Sequence, residues 1–164
     1  MKKYHSMAAF AALIIAGLGA GAAFAGSTAQ QTVTFEVQAI NELSVSAATA
    51  SLTVNSATAG SAPSVATDSS TSYAVTTNET NRKITGVINS DMPSGVTLSV
   101  TLAGPTGADD LGKQALSTTP VDLVQGISTL NESGKTISYE LSATTAAGVV
   151  PSATRTVTFT ITAG

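Results

Sequence analysis

The chain has 164 residues, 43% hydrophobic but only 4% aromatic, with seven basic against ten acidic side chains and a formal net charge of −3. So acidic and lysine-poor a chain is a poor ligand for nucleic acid, which proteins bind by neutralising phosphates. Cysteine and tryptophan are absent and the one histidine is His5. Beyond residue 25 this excludes Ser–His and Cys–His nucleophile systems and zinc sites of the usual ligand types.

The first 25 residues read as an address. Met1-Lys2-Lys3-Tyr4-His5 is a short basic region, Met7 to Ala23 is apolar and alanine-rich, and Ala23-Phe24-Ala25 has the small-x-small shape that signal peptidase cuts. A spanning helix is the competing reading, since about 18 apolar residues suffice to cross a bilayer. Gly17, Gly19 and Gly21 loosen that helix, and no basic stop-transfer follows. The expectation is a signal helix over 1–25, cleavage after Ala25, and a single domain over 26–164 with no membrane span after the cut. Lys2 and Lys3 leave with the signal, so the exported product is more acidic than the whole chain. With no cysteine, it must be stabilised by core and strand pairing alone.

Gln31 to Gln38 reads as a first strand, with Val33, Phe35 and Val37 on one face. Leu43 and Val45 alternate again, and Leu52 with Val54 suggests a third short strand. Ser56 to Ser72, rich in Ala, Ser, Thr and Gly around Pro63, reads as a long loop or edge segment. Tyr73 and Val75 open the next strand, Asn78 to Asn81 is turn chemistry, and Lys83 to Asn89 carries Ile84, Val87 and Ile88. After Asp91-Met92-Pro93-Ser94-Gly95, the residues Val96, Leu98, Val100 and Leu102 alternate strictly. Gly104 to Pro120 reads as a loop, Val121 to Val124 with Ile127 as a short strand, and Asn131 to Lys135 as a turn into Ile137, Tyr139, Leu141 and Ala143. In the last stretch, Val157, Phe159 and Ile161 alternate with Thr156, Thr158, Thr160 and Thr162, giving one apolar and one hydroxyl face. Leu98, Val100, Tyr139, Leu141, Val157, Phe159 and Ile161 are the expected core. Eight or nine short strands with turn signals and no helical periodicity after residue 25 predict an all-β, antiparallel β-sandwich of immunoglobulin-like or jelly-roll-like type. A membrane barrel fits worse, because strands of about ten residues and aromatic girdles are missing.

Chemical motifs are sparse. Carboxylate-only catalysis, as in a glycosidase, needs two carboxylates converging in a cleft, whereas the acidic residues are mostly scattered singly. Asp109-Asp110 lacks the ligand spacing of a calcium loop and reads as solvated. Asn78-Glu79-Thr80 and Asn131-Glu132-Ser133 match the glycosylation triplet but also read as plain turns. Lys83, Lys135 and Glu140 raise an intramolecular lysine–asparagine cross-link, against which surface placement is preferred. The expectation is a protein that is not an enzyme and takes no cofactor or metal.

The strongest pattern is threonine along the outer faces. It satisfies β-propensity on a solvated face, and it also suits lateral packing or sugar contact. Edge strands are normally guarded by lysine or proline; Gln31 to Gln38 has neither, only Glu36 off the apolar face. Lying just after the signal cut, it is the candidate assembly strand, with Val33, Phe35 and Val37 as the residues that fill a neighbour's pockets. Pairing within its own chain is the alternative.

Lys135 to Gly148 followed by Thr156 to Thr162 resembles the closing hairpin of bacterial immunoglobulin-like surface domains. The exported, cysteine-free whole, with alternating strands just after the signal and at the other end, is similar to fibre-forming pilins and spore-coat-like adhesins. The resemblance implies a secreted or cell-surface structural or adhesive protein; it carries no binding residues across. The partners this admits are further copies of the chain, other cell-surface proteins, or glycans. The rival reading is an extracellular carbohydrate-binding module, which needs exposed aromatic platforms; Tyr73 and Tyr139 are the only tyrosines beyond the signal and both face inward by alternation.

Overall fold

The structure is a computed structural model that describes residues 27–47 and 49–164; the expected signal helix over 1–25 lies outside these. The described residues of the first unit, 27–36, have no regular secondary structure and are exposed throughout. The second unit, Val37–Gly164, is all-β, with antiparallel pairing in every ladder.

Its strands are β1 (Asn41–Val45), β2 (Ala66–Thr77), β3 (Arg82–Ile88), β4 (Val96–Leu102), β5 (Asp109–Asp110), β6 (Gln114–Ala115), β7 (Val121–Ile127), β8 (Leu130–Ala143) and β9 (Val157–Ala163). One sheet has the order β1-β2-β8-β4-β6 and the other β5-β7-β3-β9. A single 3-10 turn, Thr145–Ala147, lies between β8 and β9. Among the described residues no helix is long and apolar enough to cross a membrane.

The sheets form because alternation gives each strand one apolar face, and both faces meet in one core. Ile84, Ile88, Val100, Leu102, Leu123, Val124, Ile127 and Ile137 are all buried there. Tyr73 is buried among them and donates its hydroxyl to the Ala103 carbonyl at 2.6 Å, which satisfies its one polar atom.

Five expectations need correction. Gly104 to Pro120, expected as a loop, carries the short strands β5 and β6. Gln31 to Gln38 is in no strand. Leu52 and Val54 are half-buried in an extended stretch that joins no ladder. Part of the expected loop Ser56 to Ser72 belongs to β2, which begins at Ala66; the Asp68 carboxylate accepts bonds from Ser70 N and Oγ (2.8 and 2.6 Å) where the ladder to β8 shifts register. Asn131 to Lys135 is not a turn but lies inside β8. There Gly134, at φ 70°, absorbs a register shift against Tyr73 and Val75. A glycine at positive φ serves a bulge as well as a turn, and composition alone does not separate them.

Candidate functional site

The two margins of the core are built differently. On one margin the chain seals the gap between the sheets. Strand β5 pairs with β7 and β6 pairs with β4, so residues 109–115 pass from one sheet to the other. The Leu116 amide then bonds the Leu98 carbonyl, and the Ser117 carbonyl accepts from Ile88 N. Leu116 is buried, and a Cβ on Gly86 would stand 2.7 Å from the Leu123 side chain, so the packing leaves no spare volume.

The other margin, between β1 and β9, is open only in its hydrogen bonding: the two strands approach each other but form no ladder. Here the apolar residues are only half-buried: Leu43 on β1 and Val157, Phe159 and Ile161 on β9, with Leu52 and Met92 beside them. Of the seven expected core residues, Leu98 and Val100 are buried; Val157, Phe159 and Ile161 on β9, and Tyr139 and Leu141 on the central strand β8, are half-buried. Burial, and secondarily the Asp68 charge, pushes the Tyr139 phenol up to about 12.

Among the described residues, strand β9 pairs only with β3. The Asn89 amide bonds the Thr156 carbonyl, and the Gly164 amide bonds the Asn81 carbonyl. In an antiparallel ladder the residues that exchange bonds alternate, so Thr158, Thr160 and Thr162 turn their main-chain groups to β3. Val157, Phe159, Ile161 and Ala163 turn theirs outward, and no partner for those groups exists among the described residues. The residues with unused main-chain groups are therefore the same ones whose side chains face the incomplete core. The parity is the same on β1, where the Asn78 amide to Ile40 and the Ser46 amide to Ser72 leave Asn41, Leu43 and Val45 outward.

At the upper end of this margin, where β4 and β9 begin and β8 ends, a cleft of about 710 Å³ is lined by Leu52, Val54, Met92, Val96, Leu141 and Val150 among others. At the lower end a polar network joins the sheets. Glu79 accepts from Asn41 Nδ2 and from Arg82, while Thr77 Oγ1 donates to Asn41 at 2.8 Å. Beside it, Asn78 takes the Ile40 amide at 2.8 Å and donates to the Gln38 carbonyl at 2.7 Å. A side-chain amide thus mimics a ladder partner and fixes the chain just after Val37.

The candidate assembly residues stand out by exposure: Val33 72%, Phe35 89% and Val37 79%. The other candidates scatter. Lys83 pairs with Asp122 at 3.2 Å and Lys113 with Glu140 at 2.9 Å, while Lys135 pairs with Glu132, so Lys83, Lys135 and Glu140 do not converge. Asp109 and Asp110 are exposed, and Asp110 caps Gly112 N at 2.6 Å. Among the described residues no three metal-ligating side chains gather. Sequence reading treated β9 as a plain core strand. The signal that it is an edge was present: like Gln31 to Gln38, Val157 to Ala163 carries neither lysine nor proline. Compared with family models, with curated proteins and with solved structures, the chain finds no match.

Proposed function

We propose that this is an exported, non-enzymatic structural or adhesive subunit that assembles into fibres at the cell surface or outside the cell. Copies are joined by strand exchange through Gln31 to Gln38. In this reading the two sheets are the layers of a β-sandwich of immunoglobulin-like or jelly-roll-like type, and cleavage after Ala25 releases the joining segment.

One observation carries it: Val33, Phe35 and Val37 alternate as a strand's apolar face does, yet are 72–89% exposed and in no strand. Large side chains left in water at a spacing of two are a surface awaiting a partner, and main-chain bonds with alternate pockets are how an extended segment finds one. Against the carbohydrate-binding rival, Tyr73 is buried and Tyr139 half-buried, and the exposed aromatic ring, Phe35, lies within the alternating joining segment.

The test is light scattering and negative-stain microscopy of the secreted product. Fibres are expected from the wild type, and soluble folded monomers from a chain lacking residues 26–38, with a peptide of Thr32 to Gln38 binding the truncated form. A wild type that stays monomeric at every concentration ends this reading.

A further inference from the structure

We propose that the acceptor for Gln31 to Gln38 is the unpaired edge of β9 in a second copy, where the segment enters between β9 and β1 and joins antiparallel with Phe35 opposite Phe159. This rests on the strand-exchange reading above and adds where, and in which direction, the segment docks.

Three observations converge on that edge. First, Val157, Phe159 and Ile161 offer main-chain groups and half-covered apolar side chains from the same positions. In an antiparallel pair the residues that exchange two bonds point their side chains to the same face. Val37, Phe35 and Val33 therefore bond these three residues and cover the margin of the core in one step.

Second, the two segments match. Thr32-Val33-Thr34-Phe35-Glu36-Val37 set against β9 in reverse meets Thr162, Ile161, Thr160, Phe159, Thr158 and Val157. Apolar meets apolar on the inner face, and Thr32 and Thr34 meet threonines on the outer face. Phe35 and Phe159 are the only two phenylalanines beyond the signal. The β1 edge is shorter and less suited: Phe35 opposite Leu43 would set Glu36 opposite Glu42, and like charges directly opposed are destabilising.

Third, direction follows from the ends of the sheets. The chain leaves Ile40 at the lower end, where Asn41 pairs with Thr77 and Arg82 with Ala163. Strand β9 starts at the opposite, upper end, beside the cleft. Antiparallel docking puts the donor's Val37 next to Val157, so the donor's lower end sits over the acceptor's upper end and cleft. That is a head-to-tail contact, which does not close on itself and propagates a fibre. Parallel docking would bring two lower ends together and terminate in a dimer.

The chain contains no cysteine, so introduced thiols report cleanly. In the proposed register Thr34 and Thr160 form a non-hydrogen-bonded pair, whose Cα atoms stand about 4.5 Å apart, within disulfide range. The full-length chain carrying Thr34→Cys and Thr160→Cys, secreted and then oxidised, should give a ladder of covalent multimers on a non-reducing gel. Thr34→Cys with Ser44→Cys on β1 should give none. Wild-type fibres together with no ladder from the β9 pair overturn the acceptor assignment alone. A ladder from the β1 pair only, or a disulfide-closed monomer from the β9 pair, overturns it too. Absence of wild-type fibres under the same conditions removes the strand-exchange reading itself.

Discussion

The two margins of the core differ by what the chain supplies to close them. Residues 109–117 cross between the sheets on one side, and the neighbours of that crossing, Leu116, Leu123, Val124 and Ile127, are buried. At the other margin β1 approaches β9 without pairing with it, and Val157, Phe159 and Ile161 stay half-buried although their pattern is the cleanest in the sequence. Alternation specifies which face a residue takes; how deeply it is buried depends on whether another strand arrives to cover it.

Mutations should measure that asymmetry. Leu123→Ala, on the sealed margin, should cost the monomer about 2–5 kcal/mol in urea unfolding, because the site is fully packed and cannot collapse without strain. Phe159→Ala on the open margin should cost only about 2 kcal/mol, since its side chain is only partly covered, below the range of a fully buried phenylalanine. Equal costs at the two positions would mean the margins do not differ. Gly86→Ala pushes a methyl against Leu123 and should cost about 1–3 kcal/mol by overpacking, read by the same unfolding curves.

Phe35→Asp inverts the relation between stability and assembly. With the ring 89% exposed, the monomer's unfolding midpoint should move by less than about 0.5 kcal/mol. Fibre formation by light scattering should be lost altogether.

The smallest effect expected is electrostatic and lies away from the open margin. The Lys135 ammonium and the Thr106 amide hold the Glu132 carboxyl at about 2, below its ordinary 4.5. A depressed carboxylate stabilises the fold above its ordinary value, and that contribution disappears as pH falls toward the folded value. Glu132→Gln should therefore lower the unfolding midpoint slightly at pH 7, and the gap to wild type should close between pH 4.5 and about 2. A gap that stays constant across that window would assign the effect to packing rather than charge. At a site that water still reaches, the shift in stability is expected to be modest.

How much of this was legible in the sequence depends on where each residue's partner lies. Val96 to Leu102 was read with its observed bounds, because local alternation and its pairing with β8 agree. The all-β, antiparallel class followed from the same pattern. Asn131 to Lys135 was misread, because Gly134 opens a bulge whose need is set by distant Tyr73 and Val75. Gln31 to Gln38 has the pattern of a strand but no ladder, and no local signal says whether a strand's partner is in the same chain. The open edge of β9 was hidden for the complementary reason: an edge is a property of strand order, which periodicity does not encode. Its missing lysine and proline were the one visible trace.

The most direct test is amide hydrogen exchange along β9, residue by residue, in the monomer and in the fibre. In the monomer, Thr158, Thr160 and Thr162 should be protected by β3, while Val157, Phe159 and Ile161 exchange freely. In the fibre all six should be protected, since the donor strand supplies the missing carbonyls. Fast exchange at Val157, Phe159 and Ile161 in assembled fibres would contradict the β9 joint, and protection there in the monomer would contradict the open margin itself.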